Sequence, residues 1–476
     1  MNKTIYLTLQ NTIRQVLSML FFIIIARYLT TEEFGKYQQL LLIAGMFGVI
    51  FSMGIPVAIS YFHGQSDSYR KKVSIYKRFF ISQLLFVMFG ILLFIVSNTL
   101  LTSIFNNEYF SDYFILLSII MITNTSLELF KNLSTVTNNL KYYLFITSIV
   151  QLISISINIF IVIYTQNIYY VLLVTAIFNS FLFLFLTKKN LKYFLSNSYT
   201  YFINKTETKY IIAMGSVTLI SVFNGYIDQL MVSIMLTIDD YSNLKIGAFQ
   251  IPFIGIITGS LLTVMIPIVS NFYRDQKYNE IVKLWKISME KASILLIPIV
   301  IFCLVFANEI IISFFGDKYI GAVLIFQIYM FQWLRAVVIF AGIMGAIGLE
   351  KELFKNTLLI MSLNIILNYI LILEFGVIGA AIATTFLNYL GGYLLIKKIN
   401  IKLNSNFFSY FPYKIYFTSL FLSLFISLIL FFMLEIYLVS IWSVIVCAII
   451  FYIIVLSVQM KIFYNEVSYK KLRELI

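Results

Sequence analysis

Apolar residues in this chain come in long unbroken runs rather than in alternation with polar ones. From Tyr142 to Thr187 no side chain is formally charged, and charge-free runs recur at 79–107, 246–273, 375–396, 415–434 and 436–460. A helix needs about 20 residues to cross a hydrocarbon core of about 30 Å, so each run can hold a crossing. Runs without a period of two favour helices over a transmembrane barrel. The pattern predicts fourteen spanning helices, near 8–27, 39–62, 78–103, 112–134, 143–164, 167–187, 209–237, 246–272, 291–314, 320–343, 355–373, 376–396, 413–434 and 436–460. The fold class expected is therefore an all-α polytopic membrane protein.

Charge placement gives these helices a direction. Most of the 34 Lys and Arg fall in the even-numbered connections and the two tails, while Glu32, Glu33, Glu108, Asp112, Asp239 and Asp240 fall on the other side. The positive-inside rule then puts both termini in the cytoplasm. Composition agrees with a membrane body: 61% of residues are hydrophobic and 12% charged, against about 25% charged in soluble domains. The net charge of +13 sits in short loops between spans, so no nucleic-acid partner is expected. Cys303 and Cys447 lie in apolar runs as small buried hydrophobes. The single His63 cannot hold zinc unaided. No metal site, cofactor, cleaved signal peptide or catalytic constellation is expected, and hence no enzyme.

The two halves echo each other. MGIPVAISYFHGQ around Pro56 parallels VMIPIVSNFYRDQ around Pro267, and GKYQ at 35–38 parallels GAFQ at 247–250. A duplicated six-helix unit would give two lobes in parallel pseudo-repeat. They would occupy 1–190 and 209–398, joined by a cytoplasmic linker at 191–208 and followed by helices 13 and 14 and a tail at 399–476. Such lobes can rock about a central cleft. Pro56 and Pro267 fall inside predicted helices 2 and 8, where proline removes a backbone hydrogen bond. They are expected as static kinks or as hinges.

Charges inside a bilayer are costly, roughly 2.5–3.5 kcal/mol on insertion scales, and mark functional sites or paired groups. Arg14 lies two turns into helix 1, where it can also snorkel. Arg335 is better isolated, in FQIYMFQWLRAVVIFAG, and Asp228 sits in NGYIDQLMV with Gln229 beside it and Asn224 one turn away. A guanidinium offers five donors in a planar fork that suits phosphate, so two arginines in a cavity favour a pyrophosphate-bearing substrate. Asn11, Gln38, Gln250 and Gln332, with Asn224, are candidates for sugar hydroxyls; each can equally bond a neighbouring helix. Asp228 is read as an arginine's partner or a coupling-ion site. Glu128 and Lys131 form a local pair.

The segments ARYLTTEEFGKYQ (26–38), NGYIDQLMV (224–232), SFFGDKYIGAV (313–323) and GLEKELFKNTLLIMSLNIILNYILILEFGVIGAAIATT (348–385) resemble the polysaccharide flippases of the MOP (multidrug, oligosaccharidyl-lipid, polysaccharide) exporter superfamily, the O-antigen and capsule repeat-unit transporters. The resemblance implies a two-lobed, fourteen-helix, MATE/MOP-like body in the bacterial inner membrane. Its activity would be to move an undecaprenyl-pyrophosphate-linked oligosaccharide from the cytoplasmic to the outer leaflet by alternating access. It also implies cavity arginines and lysines holding the pyrophosphate. Arg14 matches the helix-1 basic position of the related peptidoglycan-precursor flippases by location. The partners implied are the lipid-linked oligosaccharide, membrane lipids, a coupling H+ or Na+, and other polysaccharide-assembly membrane proteins. The alternatives are a cation-coupled multidrug exporter of the same superfamily, a peptidoglycan-precursor flippase, and a membrane-embedded glycan polymerase or ligase. The short outer loops speak against the last.

Overall fold

The computed structural model describes residues 2–66, 68–137, 139–190, 203–434 and 440–463. Among them the chain is all-helical and contains no strand. Contacts divide it into two compact units, Met1–Tyr226 and Ile227–Ile476. The boundary falls inside one helix.

The first unit begins with α1 (Asn2–Tyr28), α2 (Thr31–Ser52) and α3 (Ile55–Gly64). Thr30 caps α2, its hydroxyl accepting from the Glu33 amide at 3.1 Å, which fixes the start that the TTEE sequence signals. Then come α4 (Tyr69–Val96), α5 (Asn98–Phe105), the short α6 (Tyr109–Asp112), α7 (Phe114–Val136), α8 (Leu140–Thr165) and α9 (Ile168–Lys189). Helix α7 packs against α2, α3, α4 and α9, and α1 packs against α8. The core gathers Ile55 and Ile59 of α3, Tyr76 and Phe79 of α4, and Leu129 and Phe130 of α7. Between lipid-facing helices such contacts act by close packing, because tails are as apolar as leucine.

Helix α10 (Lys205–Met235) bends by 40° between Ile220 and Val222. Its first half is tied into the first unit: Glu207 pairs with Arg78 of α4, Tyr210 stacks on Tyr61 with centroids 4.4 Å apart, and Gly215 crosses Gly54 backbone to backbone.

In the second unit, α11 (Ile238–Gly247) opens on a capping box between Thr237 and Asp240. It precedes α12 (Pro252–Arg274), α13 (Tyr278–Val305), α14 (Ala307–Phe315), α15 (Ala322–Gln332) and α16 (Phe340–Ala346). Next is α17 (Glu350–Leu403), then α18 (Phe407–Tyr410), α19 (Tyr413–Leu434) and α20 (Ile441–Phe463). Helix α17 has 54 residues but is broken at Gly376 (φ 57°, ψ −137°). Lys398 pairs with Glu352 at 3.2 Å, and the Asn356 amide donates to the Gly391 carbonyl at 3.4 Å. These links make α17 a hairpin of two antiparallel arms, each about 39 Å long at 1.5 Å per residue. Helices α19 and α20 belong to this unit. Ser419, Ser423 and Ser427 of α19 are fully buried, giving the small residue every fourth position that lets α19 lie close to α13.

Among the described residues eleven helices are long and apolar enough to cross a membrane, or twelve with the bent α10 counted as one span. The expected count of fourteen is not confirmed. Two of the expected spans form one broken element, α17, and the first, 8–27, falls partly on residues whose side chains lie outside those described. The protein is an integral, multi-pass membrane protein.

Three expected elements are also differently built. Pro56 does not lie in a helix interior. Met53 (φ 45°) and Gly54 (φ 73°) end α2 in left-handed backbone, and Pro56 occupies the first turn of α3, where a missing N–H costs nothing. Pro267 does lie within α12, so the matched prolines have unlike settings. Predicted helix 8 starts later than expected, at Pro252, which leaves Gln250 exposed in the connection. Predicted helix 10 is interrupted at Arg335.

Candidate functional site

The interruption in helix 10 is the most unusual feature of the second unit. Residues Trp333–Val338 wind as a 3-10 helix between α15 and α16, and Ile339 follows in left-handed backbone (φ 47°, ψ 47°). Broken backbone at membrane depth is tolerated where protein groups satisfy it. Here they do. The Tyr389 hydroxyl donates to the Phe331 carbonyl at 2.9 Å, Thr385 donates to the Ile328 carbonyl at 3.3 Å, and the buried Trp285 indole donates to the Val338 carbonyl.

Arg335 lies in this break. Its guanidinium stands 5.0 Å from the Phe340 ring centroid, an attractive cation–π distance. It lies against Gly392 of the second arm of α17, and its Nε is buried without a hydrogen-bond partner. Among the described residues no carboxylate pairs with it. One turn back, Gln332 accepts from the Asn388 amide at 2.8 Å. The structure thus brings Gln332 and Arg335 to one face of the hairpin.

Asp228, in the second half of α10, has a different setting. It is 7% exposed. One oxygen accepts from the Tyr329 hydroxyl at 2.6 Å and the other from the Gln229 amide at 2.9 Å. Lys245 of α11 reaches the Gln229 side chain at 3.2 Å and lies near enough to Asp228 for attraction. Burial lowers the Lys245 amine to about 8, and the Asp228 charge opposes that shift. Asp228 is therefore a partnered carboxylate, held by a tyrosine and facing a lysine rather than an arginine.

The remaining candidates belong to the first unit or its edges. Arg14 is exposed on α1, within electrostatic reach of Tyr143 on α8. The Asn11 side chain lies outside the described residues. Gln38 is buried in α2. Asn224 has a buried, unpartnered Oδ1 and falls in the first unit, whereas Asp228 falls in the second. Glu128 and Lys131 pair at 3.2 Å. A cavity of about 230 Å³ between α2 and α7 is lined by Gly45, Gly48, Asn124 and Glu128, with Pro56 at its wall.

Sequence reasoning missed Tyr329, Tyr389, Trp285 and Gly392. Tyr329 stands six residues before Arg335 in the same run, and Gly391-Gly392 interrupts an aliphatic span. The doubled glycine was the available signal for a close approach.

The comparisons agree on the fold. The chain is similar to a lipid II flippase, MurJ, in an inward closed conformation, with a TM-score of 0.75 and 16% identity over 96% of this chain and 99% of that one. A multidrug resistance MATE family transporter of the MOP superfamily, in an inward-facing conformation, gives a TM-score of 0.62 at 13% identity, over 82% and 94%. A MOP superfamily transporter from Pyrococcus furiosus, described as having a binding pocket of reverse polarity, gives 0.56 at 12% identity, over 84% and 95%. No curated protein sequence matches the chain. The family described as polysaccharide biosynthesis protein matches residues 1–273. With more than half its length matched and a MurJ- and MATE-like helical body around it, the chain belongs to the polysaccharide biosynthesis protein family.

Proposed function

We propose that this protein is a flippase carrying undecaprenyl-pyrophosphate-linked oligosaccharide repeat units, of O-antigen or capsule type, from the cytoplasmic to the outer leaflet of the bacterial inner membrane. Arg335 carries the reading. A guanidinium held inside a spanning segment against an aromatic ring and a glycine, with no carboxylate partner among the described residues, lacks its counter-charge. A cation inside a membrane span is ordinarily paired, and a doubly phosphorylated headgroup supplies the missing anion. Gln332, Asn224 and Gln38 remain candidates for sugar hydroxyls, and Arg14 and Asn11 for the first unit's share of headgroup binding. The polyprenyl tail stays in lipid while two lobes alternate access, with Pro267 and the break before Pro56 as points of flexure. Both termini lie in the cytoplasm in this reading, and an ion gradient, the membrane potential or removal of product drives the cycle.

The test is a glycolipid topology assay in cells depleted of the protein. Lipid-linked repeat units accumulating on the cytoplasmic face support the reading. Unchanged surface polysaccharide with altered drug resistance sinks it. A cation-coupled exporter would lean on Asp228 as an open carboxylate, and its bonds to Tyr329 and Gln229 speak against that. Rescue of cell-wall synthesis by this chain would favour a peptidoglycan-precursor flippase instead.

A further inference from the structure

The glycine pair of α17 divides its work between two neighbours. A Cβ on Gly391 would meet Ile360 of the opposite arm at 3.0 Å, whereas one on Gly392 would stand 3.1 Å from Cδ and 3.2 Å from Nη1 of Arg335. Gly391 lets the hairpin close, and Gly392 makes room for the arginine. The 3-10 winding adds a second element. In a 3-10 helix residues three apart eclipse one another, which aligns Gln332 with Arg335. The Gln332 carbonyl already accepts from Asn388, so the NH₂ end of its carboxamide is left as a donor. The break is held by Trp285, Thr385 and Tyr389 from two other elements. It is a supported feature of the fold.

We propose that Gly392 is a positioning residue for oxyanion recognition: its missing side chain lets the Arg335 guanidinium lie along α17 with the Gln332 carboxamide beside it, forming a two-donor seat for a phosphate-class anion. The inference rests on the reading of Arg335 as the anion contact. A planar guanidinium gives paired N–H donors only if its edge is held toward the anion, and a side chain at 392 would push that edge aside.

The test measures inorganic pyrophosphate binding to the full-length protein in detergent, by calorimetry, with monodispersity and thermal unfolding recorded for each variant. Arg335→Ala is expected to weaken binding at least tenfold. Gly392→Val is expected to do nearly the same, and to add no further loss in the Arg335→Ala background, as coupled residues behave in a double-mutant cycle. Gly392→Ala, which asks for a shift of only a few tenths of an ångström, should weaken binding two- to fivefold and serves if the valine variant fails to fold. Gly391→Ala should lower thermal stability and leave the affinity of the folded fraction unchanged. Absence of binding to the native chain, or native affinity in Arg335→Ala, overturns the reading of Arg335 and the seat together. Weak binding by Arg335→Ala with native affinity in both Gly392 variants overturns the positioning role alone. So does a further loss from Gly392→Val when Arg335 is already gone.

Discussion

At the scale of single residues, charge in the wrong solvent was the most informative signal. Arg335 stood out because its run holds no other ionisable group except Tyr329, and the structure gives it a ring and a glycine for company. Arg335→Gln keeps hydrogen-bonding capacity but removes the charge. We expect it to lower transport of lipid-linked repeat units at least tenfold at unchanged protein level, read by radiolabelled glycolipid export; activity equal to the native protein removes the phosphate clamp. Lys245 gives a pH signature. Its amine sits at about 8 in the folded protein against about 10.4 unfolded, so the folded state binds this proton less readily. That cost is absent above pH ~10.4, grows as pH falls toward 8, and is constant below. Lys245→Met should therefore flatten the alkaline part of the stability profile: the native chain gains stability between pH 8 and pH 10 relative to this variant, measured by thermal unfolding in detergent. A parallel pair of profiles would show that Lys245 titrates normally. Nothing in the neighbouring sequence revealed this, because Gln229 and Asp228 reach Lys245 only through the turn between α10 and α11.

At the scale of elements, the chain announces its helices but conceals their interruptions. Proline in a span signals a kink, yet the break between α2 and α3 is made by Met53 and Gly54 in left-handed backbone. The break at Arg335 contains neither glycine nor proline. At Arg335 tertiary donors hold the bend and at Gly54 a close backbone crossing with Gly215 accompanies it, and local propensity sees neither. Gly54 has φ 73° and lies so close to Gly215 that a Cβ would fall 2.6 Å from its backbone nitrogen. Gly54→Ala should cost more than ~2 kcal/mol, since left-handed backbone alone costs an L-residue about 1–2 kcal/mol. Pro56→Ala should change stability by less than ~1 kcal/mol, because no intrahelical bond is lost at that position. Chemical denaturation of the two variants in detergent separates them; equal losses would return the break to the proline. The paired matches GKYQ and GAFQ likewise part company in the structure, with Gln38 buried in a helix and Gln250 exposed in a connection.

At the scale of the whole molecule, the charge asymmetry predicts sidedness that can be checked directly. Cys303 and Cys447 are buried, so the native chain offers a quiet background for thiol labelling. Ser409→Cys should react only when the cytoplasmic face is opened, and Asn167→Cys should react from outside intact spheroplasts, both side chains being exposed. Labelling of both from one side would refute the alternation of connections on which the orientation depends. The linear sequence by itself determined that this protein is helical and lives in a bilayer, roughly where its helices lie, and which charges are anomalous, because hydropathy and charge are local properties that the solvent reads residue by residue. The folded structure was needed to see that Asp228 is bound by Tyr329, that Arg335 sits in a helix break against Gly392 with no carboxylate partner among the described residues, and that Pro56 begins a helix instead of kinking one. Those outcomes depend on which groups distant in the chain arrive to satisfy a backbone carbonyl or a charge, and no local pattern encodes that arrival.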